Sequence, residues 1–272
     1  MSIPRRRPLT AALLVILASA LTLTAPGTAQ AAPGVAAAEP MPPRPVQLRS
    51  DTGFYYKVGG TQRTVADGAQ ALFTIGKPVV APEASHSLAA IAVRSADGLD
   101  NVQVGWTVDP GLNGDGEPHL FAIHRSGGID ACYNDTDADC GFEPYGPSTI
   151  RVGAKLDAGL AKRFIIQHSG DRWWVGYDTQ WFGSFPDTLW SGAFVQTGAV
   201  QYFGEVSGET DPSCSEMGTG WRADNMQSAR ISSVNLINGT AATLTIDPYD
   251  QKYTVSQLSA TSFRYGGPGV CF

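Results

Sequence analysis

The chain has 272 residues and a formal net charge of -6, which becomes -9 once Arg5, Arg6 and Arg7 leave with an N-terminal leader, and no Lys/Arg cluster remains after them. An acidic chain without a basic face is a poor match for nucleic acid or an anionic membrane, whose phosphates attract clustered cations. The composition therefore favours a small molecule, a sugar or a peptide as partner.

The basic triplet is followed by an apolar stretch, Leu9 to Leu23, and by Ala29-Gln30-Ala31, a small-x-small cleavage pattern. That order predicts a signal peptide over residues 1–31 and a secreted protein. Residues 32–50 are rich in Ala and Pro, a composition that buries too little apolar area to order itself, and read as a flexible leader. Residues 51–272 are enough for one large β domain with a complete core.

Short runs rich in Val, Ile, Thr and aromatics recur between Gly, Pro, Asn and Asp. They predict strands at Phe54–Val58, Ala69–Ile75, Leu88–Val93, Val102–Val108, Leu120–His124, Ile150–Val152, Arg163–His168, Trp173–Tyr177, Ala199–Val206, Ala229–Leu236 and Thr243–Asp247. Helical periodicity is confined to Thr188–Phe194, a short helix that would carry Leu189 and Trp190 inward. The spacing predicts an all-β, antiparallel β-sandwich with little helix.

Alternation of side chains along a strand places Val102, Val104, Trp106 and Val108 on one face and Gln103, Gly105 and Thr107 on the other. In Val200–Val206 it puts Gln201, Phe203 and Glu205 on one side, with Val200, Tyr202 and Val206 opposite. A carboxylate in an apolar strand costs several kcal/mol to bury unpaired, so it is solvated, paired or employed. Gln103 and Glu205 are accordingly the candidate catalytic residues.

Four cysteines in an exported chain predict two disulfides, with three pairings open. Cys132 and Cys140 enclose a polar loop that a local bridge closes easily, which would leave Cys214 to tie Cys271 and the C-terminus to the body. The loop Asp135-Thr-Asp-Ala-Asp139 has carboxylates at alternate positions but lacks the Gly and the final Glu of a calcium loop, so no metal is expected. His86, His119, His124 and His168 show no metal-binding spacing; His119 and His124, an odd interval apart, would face opposite sides of a strand. No cofactor is expected. Asn134-Asp-Thr136 and Asn238-Gly-Thr240 are sequons. Trp106, Trp173, Tyr177, Tyr202 and Trp221 are candidate walls of a substrate groove, since flat rings stack on proline or sugar faces.

Taken in order, Gln103-Val-Gly-Trp-Thr-Val-Asp-Pro110, Gly114-Asp115, Cys132-Tyr-Asn134, Cys140-Gly-Phe142, Trp173-Trp174, Gly204-Glu-Val206, Met217-Gly-Thr-Gly220 and Gly266-Gly-Pro268 resemble the neprosin domain, the family of a plant prolyl endopeptidase of the glutamic peptidase class. The resemblance covers nearly the whole chain after the leader. It implies two curved antiparallel sheets, a groove on the concave face and two glutamates across it. Glu205 matches the second glutamate, and Gln103 stands where the first would be. Fungal glutamic peptidases use a similar Gln/Glu pair.

The expectation is a secreted, monomeric endopeptidase acting near proline. In it Glu205 would activate a water held against Gln103, whose amide would stabilise the oxyanion. The alternative is a non-catalytic module binding polysaccharide or a Pro-rich peptide through the aromatic groove. A polysaccharide-active enzyme comes third, because it would need two facing carboxylates.

Overall fold

A computed structural model describes residues 54–82, 84–130, 134, 140–208, 213–246 and 252–271. In chain order the strands are β1 (Phe54–Arg63), β2 (Gly68–Thr74), β3 (Ala84–Arg94), β4 (Asn101–Val108), β5 (His119–Ser126), β6 (Ile129–Asp130) and β7 (Glu143–Pro144). They continue with β8 (Ala161–Ser169), β9 (Arg172–Tyr177), β10 (Gln180–Pro186), β11 (Ala199–Gly208) and β12 (Ala229–Ile237). The last three are β13 (Thr245–Ile246), β14 (Thr254–Ser259) and β15 (Ser262–Gly266). One helical turn at Pro110–Asn113 and a 3-10 turn at Asp187–Trp190 are the helical elements among the described residues.

Two antiparallel sheets result, as the sequence predicts. The first has seven strands in the order β13-β1-β11-β3-β4-β5-β6, and the second has eight in the order β14-β15-β12-β2-β8-β9-β10-β7. The inner faces meet in one apolar core to which Val58, Ile91, Val104, Trp106, Tyr202 and Val206 come from the first sheet, and Phe73, Phe164, Trp173, Phe263 and Tyr265 from the second. Both glycine-bearing motifs are explained by this packing. At Gly204, which points inward, a Cβ would stand 2.4 Å from the Tyr265 ring; at Gly105 it would strike the Ala89 carbonyl at 2.0 Å. A larger residue at either position forces strand or ring to move.

Several local expectations shift. Residues 150–152 form no strand, and the segment just beyond ties to β5 through Leu120 N to Ala154 O at 2.8 Å and Gly153 N to Leu120 O at 2.7 Å. β10, β14 and β15 escape the sequence reading because Gly and Ser in β10, Ser and Gln in β14 and Arg in β15 interrupt their apolar residues. The predicted helix at Thr188–Phe194 is the 3-10 turn one residue earlier; it does bury Trp190, whose indole Nε1 donates to Arg125 O at 2.8 Å. Cys214 and Cys271 are bridged, and Cys140 is disulfide-bonded, while Cys132 and the Asp135–Asp139 loop lie outside the described residues.

Candidate functional site

Antiparallel registers fix which side chains share the outer face of the seven-stranded sheet. β1 aligns Lys57 with Glu205 of β11, β11 aligns Glu205 with Leu88 of β3, and β3 aligns Leu88 with Thr107 of β4, which pairs with His119 of β5. Four residues along, the corresponding row reads Thr61, Gln201, Ala92, Gln103 and Ile123. Two residues beyond that comes Arg63, Ala199, Arg94, Asn101 and Arg125. The middle of the face is apolar and buried, with Ala90, Ala92, Phe121 and Phe203 in a second small cluster packed by Leu88 and Ile123.

Gln103 and Glu205 therefore share a face, as their alternation predicts, but they do not meet. Four residues of strand are about 13 Å, and two interstrand steps add about 9–10 Å across. No single water spans that separation. The residue level with Gln103 across Ala92 is Gln201 instead. Each amide is held locally: Gln103 Nε2 donates to Asn101 Oδ1 at 3.3 Å, and Gln201 Oε1 accepts from Arg94 Nη1 at 3.0 Å.

Glu205 has other partners. Its Oε2 is 2.9 Å from Lys57 Nζ and its Oε1 is 3.2 Å from His86 Nε2, with the carboxylate side chain only 13% exposed. Burial pushes this carboxyl up, but the charge of Lys57 and the contact with His86 outweigh it and hold it at about 2. Lys57 also lies over the Phe203 ring, 4.0 Å from its centroid, so the cation is fixed from two sides. Glu205 is the one carboxylate facing outward from the described residues of β1, β3, β4, β5 and β11.

Lys57 and His86, the latter 119 residues from Glu205, are the site residues that sequence reasoning missed. The available signal was alternation along β3, which sets His86, Leu88, Ala90, Ala92 and Arg94 on one face. The other histidines lie elsewhere. His119 Nε2 is 2.9 Å from Asp115 Oδ1 and its Nδ1 is 2.8 Å from Gly153 O, a tie between β5 and its flanking loops. His124 faces the opposite way, as expected; it is buried against Phe185 and Trp190, and burial pulls its imidazole down to about 4.

The aromatic groove is corrected. Trp106, Trp173 and Tyr202 are fully buried between the sheets. Trp106 Nε1 donates to Thr74 O at 3.0 Å and Trp173 Nε1 to Phe194 O at 2.8 Å, while burial pushes the Tyr202 hydroxyl up. Tyr177 packs edge-on against Phe164 at the rim of the core, and burial together with Asp178 and Asp157 pushes its phenol up to about 12. Trp221 is half-exposed on a turn outside both sheets, lining a cavity of about 470 Å³ with Glu216, Arg222, Asp224, Asn225 and Pro268. None of the five points out onto the Glu205 face: Trp106 and Tyr202 stand on β4 and β11 but face the core between the sheets. The Asn134 sequon is also occupied structurally, since its Oδ1 accepts from Ala122 N at 2.8 Å. Among the described residues no group of three or more His, Cys, Asp or Glu could hold a metal ion.

With this geometry in place, sequence comparison supplies the class. A family model for the neprosin domain matches residues 82–268. The chain belongs to the neprosin family. No curated protein matches it in sequence. Solved structures that it resembles include SCP-B, a member of the eqolisin family of peptidases in complex with the tripeptide Ala-Ile-His (TM-score 0.43, 10% identity, covering 79% of this chain and 99% of that one). Another is scytalido-glutamic peptidase with a peptide-based transition-state analogue (TM-score 0.40, 9% identity, 79% and 99% covered). A third is the carbohydrate-binding module CBM66 from Bacillus subtilis (TM-score 0.30, 12% identity, 59% and 80% covered).

Proposed function

We propose that this protein is a secreted endopeptidase of the glutamic class that takes proline-containing peptides on the outer face of the seven-stranded sheet, with Glu205 as its catalytic carboxylate. The observation carrying this reading is that Glu205 is the one outward carboxylate on the described residues of β1, β3, β4, β5 and β11 and is fixed between two basic side chains, in a chain of the neprosin family. The proline preference is brought by the family resemblance. Export is supported by the leader pattern and by the Cys214–Cys271 bridge, since disulfides persist in oxidising compartments.

The chemistry centres on one carboxylate. Ionised above about pH 2, Glu205 accepts a proton from water as the water oxygen bonds to the peptide carbonyl carbon. The Lys57 ammonium and His86 N–H, both already within reach of Glu205, supply positive charge to the developing oxyanion. Collapse breaks the C–N bond, and the proton held by Glu205 passes to the leaving nitrogen. Held at about 2, Glu205 is in its base form throughout the range above about pH 3. In this scheme Gln103 binds substrate from the other end of the face.

The test is cleavage of a quenched proline-containing peptide by the purified protein, scanned from about pH 3 to 8, the range over which carboxyl chemistry switches. Glu205→Gln is expected to lower kcat by about a hundredfold or more, the scale of losing a positioned general base, with KM changed little. Gln103→Ala is expected to raise KM and spare kcat. Equal kcat for wild type and Glu205→Gln would refute the assignment.

A second reading, a non-catalytic peptide-binding module, is favoured by one observation. The two polar side chains flanking Ala92, Gln103 and Gln201, are both amides and cannot transfer protons at neutral or acidic pH. A folded wild type that binds the peptide without cutting it selects this reading.

A further inference from the structure

We propose that the cavity at Trp221 is a binding site for a neutral polysaccharide, which stacks on the indole and hydrogen-bonds to the acid and amide side chains beside it. Its lining comes from the segment between β11 and β12 together with Pro268, and none of these residues stands on a strand of either sheet. Glu205 and its partners take no part in it, so carbohydrate binding here is a further activity of the chain and does not depend on the peptidase reading.

The walls of this cavity are fixed by the fold. Trp106, Trp173, Trp174 and Trp190 are buried and Trp181 is half-buried, whereas Trp221 is 49% exposed. The backbone around it is tied on both sides: Met217 N donates to Gly267 O at 2.9 Å, Gly220 N to Met217 O at 3.1 Å, Ala223 N to Thr254 Oγ1 at 2.8 Å and Asn225 N to Arg222 O at 2.9 Å. Gly220, at φ +80, lets the chain pass close to a carboxylate, since a Cβ there would stand 2.6 Å from Glu216 Oε1. The Cys214–Cys271 bridge joins the two stretches of chain that meet at the cavity. Walls held in this way are ordered before any ligand arrives, which lowers the entropic cost of binding.

The lining chooses the ligand. At about 470 Å³ the cavity is within the size range of small-ligand sites. The flat ring suits the C–H face of a sugar or a proline ring equally, and the polar groups separate the two. Glu216 Oε2 accepts from Val79 N at 2.7 Å, which fixes that carboxylate and leaves Oε1 to accept again. Asp224 is exposed and, when ionised, can only accept. Asn225 Oδ1 accepts from Gln227 N at 2.8 Å, so its NH2 is the part left to donate. These groups call for a ligand that is rich in donors and also accepts. Proline brings no N–H. A sugar hydroxyl both donates and accepts, and several stand around one ring. Charge points the same way: the lining carries both signs, Glu216 and Asp224 with Arg222, which suits a neutral ligand better than an ion, and a chain of net charge -6 does not attract acidic polysaccharides. Because the indole stays half-exposed, the site admits one unit of a long chain whose neighbours remain outside.

The experiment is isothermal titration calorimetry of the purified protein with three neutral polysaccharides, hydroxyethyl cellulose, arabinoxylan and galactomannan. At least one of them is expected to bind saturably, with an affinity that holds at about 1 M salt, where charges are screened within about 3 Å. Trp221→Ala is expected to weaken that binding about tenfold or more, the scale of losing an aromatic anchor, and Trp221→Phe to recover part of it. Asp224→Ala, at an exposed position, should weaken it as well, and near-ultraviolet circular dichroism checks that each variant is folded. No binding of any of the three, binding that disappears at high salt, or binding unchanged in both folded alanine variants would overturn the proposal. So would a Trp221→Ala protein that keeps its affinity for polysaccharide and loses it for a proline-containing peptide, since the cavity would then belong to the peptide. Cleavage is measured separately at Glu205, so failure of this site and failure of the peptidase reading remain distinguishable.

Discussion

Trp106→Ala is expected to lower the unfolding free energy by about 3–5 kcal/mol, the usual result of emptying a large aromatic site in a core. The indole is fully buried between the sheets, it sits in the same cluster as Phe73, Phe164 and Trp173, and its Nε1 donates to Thr74 O at 3.0 Å across to the second sheet. Removing it leaves a cavity and an unsatisfied carbonyl together, and each adds to the loss. A residue that stacked on substrate at the surface would instead cost little stability and mainly raise KM. Chemical denaturation of the variant separates the two: a large drop in midpoint at constant m identifies a core residue, and an unchanged midpoint with weakened peptide binding would return Trp106 to the groove.

Acidification should remove a contribution of similar size. The Glu205 carboxyl is held at about 2 against an ordinary 4.5, so the folded state gains about 3 kcal/mol from its ionisation by linkage. The sign follows from the depressed pKa: the unfolded chain binds the proton first, so this stability is complete above about pH 5 and drains away as the pH falls toward 2. Glu205→Gln should flatten the stability profile across that window. Lys57→Met should do so in part, because the charge of Lys57 is the largest single cause that lowers this pKa. A variant whose stability fell with acid as steeply as the wild type would show that the ion pair has no thermodynamic weight.

Alternation was the most informative signal in the chain. It correctly turned Gln103, Gln201 and Glu205 to one face and Val102, Val104 and Trp106 to the other, because a sheet with one buried side specifies period two strictly. The same alternation placed Trp106 and Tyr202 away from Gln103 and Glu205, toward the core where the structure holds them. The abundance of aromatic residues suggested a groove, but burying two large sheets consumes that surface. Register is a different matter. Whether Gln103 stands beside Gln201 or Glu205 depends on the turn between Arg94 and Asn101 and on how β11, arriving about a hundred residues later in sequence, slides against β3. Nothing local to either motif encodes that slide, so a pair that shares a face was read as a pair that meets. His86 was hidden for the same reason.

The central claim is that Glu205 works within a cluster with Lys57 and His86, and apart from Gln103. Carbon-13 NMR titration of the Glu205 side-chain carboxyl tests it most directly, in wild type, Lys57→Met and Gln103→Ala. The predicted result is a midpoint at about 2 in wild type, raised in Lys57→Met and unmoved in Gln103→Ala. A midpoint in the ordinary carboxylate range, or one that moves with Gln103 and not with Lys57, would contradict it.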